Sequence, residues 1–153
     1  MDLLLWRHAE AVDGSPDDAR ALTAHGQRQA ARMAKWLTRH APEDLRIIVS
    51  PAVRTRQTVE AWTDQYETDA RVGTSARARD LLTAAGWPDA GGAVMIVGHQ
   101  PTLGEVVDLL LQSTAAGDTA FKKGAVWWLR HRVRDGKAQT VVHAVMTAEM
   151  AVD

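Results

Sequence analysis

Hydrophobic and polar positions alternate along the chain with two different periods. Leu3 to Trp6, Ile47 to Val49 and Val94 to Val97 are short unbroken apolar runs rich in branched side chains. Such runs suit central strands buried on both faces. After the first run and a polar loop, Ala30, Met33, Ala34 and Leu37 fall on one face of a helix. Thr23 is placed to cap that helix, and Pro42 limits it to about His40. After the second run, Ser50-Pro51 supplies an N-cap and a first-turn proline, with Val59, Trp62 and Tyr66 as the inward stripe. A shorter helix is expected around Leu81 to Ala85, stopped by Gly86 and Pro88. The third run passes through Gly98-His99-Gln100-Pro101 into a helix with Leu103, Val106, Val107 and Leu110 at core spacing.

The last segment reads differently. Ala125 to Val133 and Thr140 to Met146 flank Asp135-Gly136, a dipeptide that favours a tight hairpin turn. Strands alternating with helices predict an α/β fold in three layers. Its central sheet is mostly parallel, with helices on both faces and a C-terminal antiparallel hairpin. Residues 1–153 suit one domain, and neither a repeat nor a linker interrupts them.

Composition adds limits. The chain has 18 basic and 19 acidic residues, so attraction for anions must be local, and a general nucleic-acid binder is not expected. There is no cysteine, which removes thiolate nucleophiles and thiolate metal sites and fits a reducing compartment. No apolar run has membrane-spanning length and no signal-peptide core is visible, so a cytoplasmic protein without membrane partners is expected. His25, His40, His131 and His143 lack metal-site spacing, and neither metal nor cofactor is expected. The tryptophans read as packing, with Trp127 or Trp128, if exposed, as a partner surface.

The three apolar runs end alike: in Arg7-His8, in Ser50 to Arg54, and in Gly98-His99. In a parallel sheet those ends converge. Two histidines and two arginines at one sheet edge form a pocket for a dianion, because the guanidinium fork matches phosphate oxygens.

These segments carry a resemblance. Leu5-Trp-Arg-His-Ala-Glu-Ala11 is similar to the Arg-His-Gly signature of the histidine phosphatase superfamily. Leu22-Thr-Ala-His-Gly26 with Gln29-Ala30, Ser50-Pro-Ala-Val-Arg-Thr-Arg-Gln-Thr58, and Val97-Gly-His-Gln-Pro101 resemble in order the blocks of its SixA-type phosphohistidine phosphatases. The match spans roughly residues 1–112. It implies His8 as a nucleophile that takes up a phosphoryl group and passes it to water. Arg7, Arg54 and His99 would clamp that group, with His99 serving best protonated.

Ala9 stands where the family usually has glycine, a small-for-small change. The asparagine with which larger relatives contact phosphate is missing, which makes Ser15 or a backbone amide the candidate substitute. Glu10 is expected to orient the loop. Larger relatives add a lid that often supplies a general acid, and this chain has little room for one. Asp80 is the best-placed acid, with a cap of the helix at Leu81 as its other reading. The absent lid and the good imidazole leaving group favour phosphohistidine on a phosphotransfer protein as substrate. The alternative is a small phosphomonoester or phosphoanhydride.

Overall fold

The computed structural model describes residues 1–113 and 119–151. Six strands form one sheet: β1 (Asp2–Arg7), β2 (Leu45–Val49), β3 (Glu67–Thr68), β4 (Ala93–Gly98), β5 (Val126–Arg134) and β6 (Lys137–Met146), in the order β3-β2-β4-β1-β5-β6. β1, β2, β3 and β4 run parallel, while β5 pairs antiparallel with both β1 and β6. The helices are α1 (Ala24–His40), α2 (Val53–Glu60), α3 (Ala78–Ala85) and α4 (Thr102–Leu111).

Successive residues of a strand face opposite sides of the sheet, and the core divides accordingly. Leu3, Leu5, Ile48 and Ile96 pack with Leu81, Leu103 and Val106 on the α3/α4 side. Leu4, Trp6, Val49, Met95 and Val97 pack with Met33, Leu37 and Val59 on the α1/α2 side. This is the expected three-layer arrangement. The Asp135-Gly136 turn takes φ values of 52° and 74°, the left-handed pair that a two-residue hairpin needs.

Two local expectations are corrected. Ala52, not Ser50, precedes the first turn of α2; the Ser50 hydroxyl is used elsewhere, as described below. Trp62 and Tyr66 lie beyond the end of that helix at Glu60, although both still pack against the α1/α2 core. The two exposed residues of β3 carry no apolar pattern and join the sheet only through β2. Trp128 is buried, with its indole N–H donating to Asp2, and half-buried Trp127 stacks on Phe121.

Candidate active site

Hydrogen bonding continues past the ends of the central strands. His8 N–H donates to Gly98 O at 3.1 Å, and Ser50 N–H donates to Val97 O at 3.1 Å. His8, Ser50 and His99 are thereby held abreast at the carboxyl edge of the sheet, the usual place for ligands in such folds. The His8 and His99 rings lie 5.4 Å apart, centroid to centroid. Arg54 arrives from the first turn of α2, where the helix dipole also favours an anion. Arg7, His8, Arg54 and His99 line one cavity of about 410 Å³.

The loop after β1 is pinned from three sides. Ala9 N–H donates to Thr58 Oγ1 at 3.0 Å, and Glu10 N–H donates to Gln29 Oε1 at 2.9 Å. Thr23 Oγ1 donates to the Glu10 carboxylate at 2.6 Å and accepts from Gly26 N–H at 2.9 Å. Gly26 is required by this approach, since a Cβ there would lie 2.0 Å from Glu10 O. The blocks around Thr23 and Gln57-Thr58 therefore brace the loop that presents His8.

The His8 ring has a defined tautomer. Its Nδ1 is 2.7 Å from Ala9 O, and a carbonyl only accepts, so Nδ1 carries the hydrogen and Nε2 keeps a lone pair. Burial first, then the positive surroundings of Arg54 and Arg7, push the His8 pKa down to about 3, against the bond to Ala9 O. His99 is pushed down to about 4, again by burial first and then by Arg54. A buried ring beside guanidiniums favours its neutral form at pH 7. His99 Nε2 lies 2.8 Å from Ser50 Oγ, and that oxygen accepts from Ala52 N–H.

Both arginines are held by their tips. Phe121 O accepts from Arg7 Nη1 at 2.6 Å. Asp17 accepts twice from Arg54, its main-chain O from Nη1 at 2.8 Å and its carboxylate from Nη2 at 2.9 Å. Arg7 Nε, Arg54 Nε and His99 Nδ1 are all buried without a protein partner. Buried donors without partners are costly, and the two guanidinium Nε atoms, on residues that line this cavity, match the needs of a bound oxyanion.

Asp80 and Ser15 are not among the residues lining this cavity. Asp80 sits three positions into the start of α3, where its carboxylate accepts Arg77 N–H at 2.8 Å, so it caps the helix by a capping-box contact. Ser15 is exposed on the loop before Pro16. Asp17, Arg20 and Lys123 do line the cavity. Asp17 carried no signal in the sequence, because its partner Arg54 lies 37 residues away. Among the described residues no group of three or more histidine, aspartate or glutamate side chains is placed to hold a metal ion.

The description "Histidine phosphatase superfamily (branch 1)" matches residues 3–81. The phosphohistidine phosphatase SixA of Escherichia coli is 30% identical over 122 residues, which is 70% of this chain and 72% of that protein. The chain belongs to the histidine phosphatase superfamily and is of the SixA type. A SixA homologue from Haemophilus influenzae is also 30% identical, over 70% of this chain and 75% of its own. Among solved structures, one from Nakamurella multipartitia assigned as a SixA phosphohistidine phosphatase superposes with a TM-score of 0.76. It is 26% identical and covers 95% of this chain and 94% of its own. Another, the protein histidine phosphatase SixA complexed with tungstate, has the same fold at a TM-score of 0.75 and 22% identity, over 97% of each chain. His8 is the histidine of the Arg-His signature, and its Nε2 is left unprotonated.

Proposed function

We propose that this SixA-type enzyme removes phosphate from phosphohistidine displayed on a phosphotransfer protein, through a phosphoryl intermediate on His8. The observation that carries the reading is the fixed tautomer of His8 within a cavity lined by Arg7, Arg54 and His99. The names of the relatives from E. coli and H. influenzae support the substrate class.

His8 Nε2 attacks phosphorus while the P–N bond of the substrate breaks and its imidazole leaves. Water then attacks the phosphohistidine, phosphate departs, and the electron pair returns to His8 Nε2. Phosphoryl transfer passes through a loose state with charge spread over three oxygens, so fixed donors do most of the catalysis. Arg7 and Arg54 supply them, and each keeps its charge at any working pH. A neutral His99 donates as well if Ser50 gives its hydroxyl hydrogen to Nε2, which places the ring proton on the unpartnered Nδ1. The dianion itself then favours a second proton on His99.

Imidazole is a better leaving group than an alkoxide, so the site can work although Asp80 lies outside the cavity. No helix among the described residues is long and apolar enough to cross a membrane. The expected setting remains a cytoplasmic phosphorelay. The test compares kcat/KM for a phosphohistidine-bearing protein with values for alkyl phosphates. The reading predicts a preference of at least about 100-fold for the former; equal or reversed values would favour the small-molecule alternative.

A further inference from the structure

Asp17 lies outside every sequence block that carries the family resemblance, yet it makes the double contact to the tip of Arg54. Its other carboxylate oxygen accepts from Arg20 Nε at 3.0 Å. Hydrogen bonds from Arg54 hold the Asp17 carboxyl below the usual carboxylate range, so it is ionised at neutral pH. The Asp17 side chain is 59% exposed, whereas that of Arg54 is 5% exposed. The carboxylate therefore stands at the rim of the cavity and the guanidinium at its floor. Exposed Asp13 lines the same cavity.

The contact is confined to Nη1 and Nη2. Arg54 Nε stays unpartnered, so Asp17 fixes the guanidinium through its two Nη atoms alone. Charge gives the second argument. Among the described residues four cations line the cavity, Arg7, Arg20, Arg54 and Lys123, against the two carboxylates Asp13 and Asp17, with both histidines neutral. The excess of two positive charges equals one phosphoryl dianion. A leaving group with its own negative charge meets no remaining excess and faces two carboxylates at the rim. An imidazole brings no negative charge, and a protonated imidazole is attracted there.

We propose that Asp17, assisted by Asp13, is a specificity-determining residue, admitting a phosphoryl group carried on imidazole and disfavouring one carried on an anionic leaving group. The proposal rests on the phosphohistidine reading above. In the step it serves, the P–N bond breaks as the bond from His8 Nε2 to phosphorus forms. The released electron pair goes to the near nitrogen of the substrate ring. A ring that enters protonated on its far nitrogen leaves as neutral imidazole, and the rim carboxylates favour that protonated ring. An anhydride leaves with its negative charge in the same place, against a field of like sign.

The test uses the full chain and the variants Asp17→Asn and Asp13→Asn, with a phosphohistidine peptide and ATP as substrates. Asp17→Asn keeps an oxygen that can accept from Arg54 while removing the charge. Its kcat/KM should fall about tenfold on the peptide and rise on ATP, since removing one partner of a like-charge pair changes discrimination more than fold. Asp13→Asn lacks the Arg54 contact seen for Asp17 and should move the ratio the same way by a smaller factor. A uniform loss on both substrates, or an unmoved ratio in both variants, would overturn the proposal and leave Asp17 as support for Arg54 alone. Failure of the phosphohistidine reading would show separately, as a wild-type enzyme that prefers ATP.

Discussion

The parallel half of the sheet and the β5–β6 hairpin share one hydrogen-bonded ladder but treat polar side chains in opposite ways. Eight polar or charged side chains are buried among the described residues, and all lie between His8 and Thr102. They lie at the carboxyl ends of β1, β2 and β4 and on α1, α2 and α4. The hairpin buries none of its polar side chains, and Val133 near its tip is even 68% exposed. The contrast follows from topology. A strand covered on both faces has nowhere to put polar groups except its ends, where converging loops bury them again. A hairpin with one wet face can turn its polar groups outward. The hairpin side of the sheet still contributes, through its leading segment: Gly124 N–H donates to His8 O at 3.1 Å, and Phe121 O holds Arg7.

Replacing Arg54 by lysine breaks this comparison at its strongest point. A lysine cannot offer Asp17 two parallel contacts and face a phosphoryl group as well, so kcat/KM should fall by about 10²–10³. Steady-state kinetics that stay within twofold of wild type would remove Arg54 from the clamp.

Acidification is the next test. His8 and His99 have folded-state pKa values pushed from 6.5 to about 3 and about 4. Below pH 6.5 the unfolded chain therefore binds protons that the folded chain refuses. Their stabilisation is full above pH 6.5 and is lost as the pH falls toward 4. Each histidine adds a slope of up to about 1.4 kcal/mol per pH unit. Urea titrations between pH 7 and 4 should show a steep loss for wild type and a shallower one for His8→Asn. Parallel curves would mean that His8 is not held neutral by the fold.

A pair of glycine substitutions gives the smallest expected difference. Gly26→Ala drives a methyl group to within 2.0 Å of Glu10 O, and the required withdrawal of α1 should cost about 1–3 kcal/mol. Gly136→Ala in the hairpin meets nothing within 4 Å and bears only the strain of φ +74°, about 1–2 kcal/mol. The sharper distinction is in activity. The first variant disturbs the loop that presents His8 and should lose turnover as well as stability, whereas the second should keep full kcat.

Much of this was legible in the chain itself. Apolar runs predict β1, β2 and β4, Thr23 caps α1 as its position suggests, and Asp135-Gly136 forms the expected turn. Arg7, His8 and His99 converge because each stands at a strand end, and Arg54 joins them from the first turn of the helix that follows β2. What stayed hidden depends on partners distant in sequence. Local rules assign Ser50 to a helix cap, yet its hydroxyl serves His99, 49 residues away. Asp17 sits in a polar loop without periodicity, and only folding brings it to Arg54. Asp80 had the right residue type at a plausible position, but a carboxylate three residues into a helix satisfies its own backbone first.

The account rests most directly on where the phosphoryl group goes. Wild-type enzyme, mixed with a phosphohistidine substrate and quenched in alkali within one turnover, should carry one acid-labile, alkali-stable phosphoryl group that maps to His8. His8→Ala should carry none and turn over no substrate. Label on a serine or an aspartate, or an active His8→Ala enzyme, would contradict the account.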